Sequence, residues 1–80
     1  MKANVIVRLK SQVLDPQGET IRAALDTLGY SNVKEVRQGK HFELSLEAES
    51  HQEAESQARE IAERVLSNPV LETFDVEVAD

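Results

Sequence analysis

The chain reads as an α+β fold: two helices packed on one face of a mainly antiparallel sheet, in the order β-α-β(β)-α-β. Three observations predict it. Apolar and polar residues alternate near both ends of the chain, helical stripes of apolar residues lie between, and helix-start signals stand at Asp15-Pro16 and Ser50-x-x-Glu53. The 80 residues make one domain, 1–80, with no linker, repeat or low-complexity stretch.

The first strand is set by Val5, Val7 and Leu9 alternating with Asn4, Arg8 and Lys10. Ile6 interrupts the polar side, which predicts a central strand or one whose second face is partly covered. Asp15 caps the first helix and Pro16 takes its first position, where the missing N–H has no partner to lose. Ile21, Ala24, Leu25 and Leu28 then form one helical face. Gly29 suits the left-handed residue of a Schellman ending, with Tyr30 folding back. Over 33–47, Phe42, Leu44 and Leu46 define a strand. Val36 shares their parity, so the segment is either one long bent strand or a hairpin turning at Gln38-Gly39, which gives a ferredoxin-like βαββαβ order. The residues leave both open. Ser50 and Glu53 make a capping box. The second helix carries Ala54, Ala58, Ile61, Ala62 and Val65 inward with Leu66 alongside, and pairs Glu55 with Arg59 and Glu60 with Arg64. Asn68-Pro69 stops it. Val70, Phe74, Val76 and Val78 mark the last strand.

Val, Leu, Ile and Phe together number 22, enough for one thin core. At this size apolar burial barely exceeds the entropy of ordering, roughly 1.5 kcal/mol per residue. With no cysteine there is no disulfide, so self-association is the expected extra source of stability, as a homodimer or dimer of dimers. The net charge of −6 disfavours nucleic acid and anionic membranes. No apolar run reaches membrane-spanning length and no signal region opens the chain, so a soluble cytoplasmic protein is expected.

Catalytic chemistry is missing. A nucleophile needs an activating base, yet cysteine is absent and the two histidines, His41 and His51, read as surface residues without convergent partners. His41 with Glu43 supplies only two metal ligands. Gly39-Lys40 fails the phosphate-loop pattern, which needs glycine at Lys34 and Ser or Thr at His41. Phe42 and Phe74 share parity with the core, so the open sheet face lacks stacking aromatics for RNA. That face carries Arg37, His41, Glu43, Ser45, Asp75 and Glu77, with Arg8 and Ile6, a mixture of signs suited to contact with protein. No catalytic, cofactor-binding or metal-binding residues are expected.

Val13-Leu14-Asp15-Pro16-Gln17-Gly18, Leu28-Gly29-Tyr30, the run Val33 to Leu44 containing Val36-Arg37-x-Gly39-Lys40-x-Phe42, and Asn68-Pro69-Val70 occur in that order. Together they closely resemble the PurS family, the small subunit of phosphoribosylformylglycinamidine (FGAM) synthase. The resemblance implies a PurS-like fold and a chain without catalytic residues inside an ATP-dependent C–N ligase complex of purine biosynthesis. That complex converts formylglycinamide ribonucleotide, ATP and glutamine to FGAM, ADP, phosphate and glutamate. ATP and Mg would be used by the complex and not bound by this chain. The resemblance further implies a bridge between a PurQ-type glutaminase and a PurL-type synthetase that assists ammonia transfer. It assigns partner contacts to Asp15, Pro16, Gln17 and Gly18, to Arg37, Gly39 and Lys40, and to Asn68 and Pro69.

Two other classes compete. A ferredoxin-like ligand-sensing or oligomerisation module would have a glycine-rich loop between the first strand and helix. An acylphosphatase-like enzyme would cradle an arginine there. The loop Lys10-Ser11-Gln12-Val13-Leu14-Asp15 lacks those glycines and carries an acid.

Overall fold

A computed structural model describes residues 1–79. The elements are β1 (Lys2–Leu9), α1 (Pro16–Thr27), β2 (Gly39–Ser45), α2 (His51–Ile61) continued by a π-helical turn (Ala62–Leu66), and β3 (Glu72–Ala79). The sheet order is β2-β1-β3, antiparallel throughout. β1 is therefore the central strand, as its two-sided apolar stretch requires. Val5 stands between Phe42 and Val76, and Val7 between Lys40 and Phe74.

The core lies between this sheet and α2. Ala3, Val5 and Val7 are buried from below, and Ala54, Ala58 and Ala62 from above. Phe42, Leu44, Leu66, Phe74 and Val76 close around them, half-buried. Alanine at each inward turn lets α2 lie close to the strand. Each fully buried valine contributes about 1.5–3 kcal/mol. The opposite sheet face is uncovered and carries the expected residues except Arg37, which lies before β2 and off the sheet. Arg8 pairs with Asp75, Lys2 with Glu43 (3.4 Å), and His41 Nε2 meets the Asn4 side-chain oxygen Oδ1 at 3.0 Å.

Several local expectations meet the structure directly. The Asp15 carboxylate accepts the Gly18 N–H at 2.9 Å. Gly29 has φ +102°, and the Tyr30 N–H reaches the Leu25 carbonyl at 2.9 Å, a Schellman closure. Ser50 accepts the Glu53 N–H at 3.1 Å, while the Glu53 carboxylate takes the N–H of Glu49 (3.3 Å), one residue before the cap. The pairs Glu55–Arg59 (3.2 Å) and Glu60–Arg64 (3.0 Å) form.

Three details differ. Residues 33–38 are neither the start of a long strand nor half of a hairpin, because the ladder with β1 begins only at Gly39. Val65 does not point inward. The Ser67 N–H bonds five residues back to Ala62 (2.9 Å), and this wide turn brings Leu66 to the core and leaves Val65 76% exposed. Most important for function, α2 alone covers the sheet. α1 buries only Gly18 and makes no comparable packing with any other element. Its apolar stripe is open, with Ile21 41% and Leu28 74% exposed. Leu14 and Tyr30 are exposed at either end. The molecule accordingly measures 50 × 26 × 14 Å.

Candidate functional site

Asp15–Gly18, Arg37–Lys40 and Asn68–Pro69, far apart in sequence, meet at one end of the sheet. There β1 ends while β2 and β3 begin, so antiparallel pairing brings Arg8 opposite both Gly39 and Thr73. Asp15, Pro16, Gln17, Gly39 and Lys40, with Glu72, line one cleft of about 350 Å³.

Each motif has a local physical reason. Asp15 is 6% exposed, the one buried charged side chain among the described residues. Its second oxygen accepts the Gln38 N–H at 2.7 Å. These two backbone donors, helped by the Arg37 charge, hold its carboxyl below the usual 3.8 despite burial. Gly18 faces the main chain of Val36, and a Cβ at Gly18 would lie 2.0 Å from the Val36 carbonyl oxygen. No other residue fits there without moving one of the two segments. The Gln38 side chain donates to Gln17 at 2.7 Å, and Arg37 donates to the Lys10 carbonyl at 3.0 Å. Glu72 ties in the last motif. One oxygen accepts the Asn68 N–H (2.7 Å) and the other lies 3.9 Å from the Lys40 ammonium. The Asn68 side chain and carbonyl then accept the N–H groups of Val70, Leu71 and Glu72, folding Asn68-Pro69-Val70-Leu71 into a tight turn. Pro16, Gln17, Arg37, Lys40 and Pro69 remain exposed on the outside of this knot.

A second, wider cleft of about 860 Å³ opens beside it, bordered by Arg8, Lys10, Arg37, Glu35 and Thr73. Three cations border this mouth, of which Arg8 is paired with Asp75, and Glu35 stands among them. Among the described residues no three His, Asp or Glu side chains converge to hold a metal ion. Among the described residues no helix is long and apolar enough to cross a membrane.

Sequence patterns missed Gln38 and Glu72. Gln38 reaches Asp15 through its main-chain N–H, which every residue but proline has, and Gln17 through a side-chain bond that no sequence spacing marks. Glu72 is one acid among 15, and only the register of β3 brings it to Asn68 and Lys40.

The chain matches the family model described as PurS, phosphoribosylformylglycinamidine (FGAM) synthase, over residues 2–80. It is 39% identical over 77 residues to the PurS subunit of FGAM synthase from Methanocaldococcus jannaschii, spanning 96% of this chain and 93% of that one. The structure of Bacillus subtilis PurS superimposes with a TM-score of 0.87 at 39% identity, covering 99% and 98% of the two chains. A chain from the structure of PurLQS from Thermotoga maritima gives 0.86 at 37% identity, covering 95% and 93%. The β-α-β-α-β fold, the order of the motifs and similarity over nearly the whole sequence agree: the chain belongs to the PurS family of FGAM synthase subunits.

Proposed function

We propose that this chain is the non-catalytic small subunit that bridges the glutaminase and synthetase subunits of a glutamine-dependent FGAM synthase and assists ammonia transfer between them. The observation that carries this reading is the likeness to a chain of PurLQS from Thermotoga maritima over 95% of the sequence. The partners are then a PurL-type synthetase and a PurQ-type glutaminase, with ATP and Mg used by the synthetase and not bound here. Ammonia released into neutral water is almost wholly protonated and no longer a nucleophile. A subunit that holds the two active sites together and excludes water keeps it neutral until it attacks the activated amide. The contact surface is the outside of the motif knot, Pro16, Gln17, Arg37, Lys40 and Pro69, held in place by Asp15, Gly18, Gly39 and Asn68. The neighbouring mouth, where Lys10 and Arg37 stand, suits carboxylates of a partner.

The same reading includes self-association. A compact monomer of 8.9 kDa exposes about 4,800 Å², whereas this chain exposes 5862 Å². The excess is comparable to the roughly 800 Å² that each side of a standard interface buries. α1, with Ile21 and Leu28 exposed, offers the apolar face that a second copy would cover.

The test compares glutamine with ammonium as nitrogen donor for the two large subunits, with and without this chain. Glutamine-dependent turnover should require it and ammonium-dependent turnover much less. If neither responds, the bridging role is wrong.

A further inference from the structure

A helix cap needs one oxygen, and Asp15 uses two. Oδ1 accepts the Gly18 N–H at the third position of α1, which is ordinary capping. Oδ2 accepts the N–H of Gln38, 23 residues further along the chain, at 2.7 Å. That bond joins the start of α1 to the point where residues 33–38 enter β2. Gln17 and Gln38 add a side-chain bond (2.7 Å), and Gly18 lets the Val36 carbonyl approach. Beyond this first turn α1 buries no residue fully and packs only lightly on the other helices and strands. A helix of 12 residues, about 18 Å long, is thus held at one end, and a rotation of roughly 10° there moves its far end by about 3 Å.

We propose that Asp15 is a clasp: its second oxygen fixes the direction in which α1 projects and makes α1 and residues 33–38 one rigid arm. Both bonds of the clasp lie within one chain. The clasp rests on the assembly reading only for its purpose, which is to present the apolar stripe of α1 to a partner instead of letting it fall back on its own sheet. Asp15 is a positioning residue with no chemical role. A polar group so well buried, with each oxygen on a separate backbone donor, costs more to leave unpaired than a surface cap would.

The experiment separates cap from clasp. Serine and asparagine cap helices as well as aspartate. Asp15→Ser has a single oxygen too short to span both donors, and Asp15→Asn turns an amide N–H₂ toward the Gln38 N–H. The chain has no cysteine, so Asp26→Cys on α1 and Glu77→Cys on β3 place two spin labels, and dilution with unlabelled protein leaves only distances within one chain. The parent should give one narrow distance. Both variants should lose it for a broad distribution and lose hydrogen-exchange protection at Gln38, with helix content kept in circular dichroism. Distributions as narrow as the parent's in either folded variant overturn the clasp. Sedimentation of the parent tests self-association separately. A monomer there would end the second-copy reading and leave the label distances equally decisive.

Discussion

Asp15 shows how one side chain can carry two structural duties at once. Its carboxylate is buried yet held in the charged form, because Gly18 and Gln38 each aim a backbone N–H at it. The carboxyl sits below its usual 3.8, with the Gln38 hydrogen bond the largest cause. The folded state therefore binds this proton less tightly than the unfolded chain does. The stability it provides is complete above the unfolded value and is lost as pH falls through the lower folded value. Comparing the parent with Asp15→Ser by urea unfolding across the acid range, the difference in stability should be constant at neutral pH. It should then shrink as Asp15 protonates. A difference that stays constant to the most acid pH at which both still fold would mean that the charged carboxylate contributes nothing. Glu19 also lies below its usual value, through Arg22 at 2.6 Å, but that pair is exposed and screened.

At the level of elements, the wide turn at the end of α2 decides which residue reaches the core. Helical spacing from Ala54, Ala58 and Ala62 points to Val65, but the turn from Ala62 to Ser67 takes one extra residue and delivers Leu66. Leu66→Ala should cost about 1–3 kcal/mol, below the range for a fully buried leucine because it is only half-buried. Val65→Ser should stay within about 0.5 kcal/mol. Thermal unfolding reads both, and the reverse order would put Val65 in the core. The same contrast marks what was legible in the sequence. Local chemistry was legible: the Asp15-Pro16 start, the Gly29 ending, the Ser50 cap, and a central β1 revealed by Ile6. Elements whose form depends on distant contacts were not. A π turn has no composition of its own, and residues 33–38 carry strand parity without a neighbour in this chain to pair with. The motif residues could be picked out individually. Their meeting at one end of the sheet follows from β-ladder register, which no single motif encodes.

For the whole molecule, the stripe Ile21-Ala24-Leu25-Leu28 is a true amphipathic signal, and its periodicity correctly gives a helix. Periodicity says that a face will be buried and is silent about what buries it. The sheet's inner face is already occupied by α2, and α1 is held away from it at its first turn. Ile21 and Leu28, exposed on a helix held at its first turn alone, form the apolar face that a partner would cover. With this stripe as the proposed contact between copies, Ile21→Glu together with Leu28→Glu should abolish self-association in sedimentation. Unfolding of the sheet and α2 should change little, since neither residue joins that core. If the double variant sediments as the parent does, the second copy must attach elsewhere, through the open edges of β2 and β3. If it monomerises and the glutamine-dependent activity of the large subunits falls with it, the arm and the bridge are one device. Monomer formation with activity intact would make self-association a matter of solubility alone.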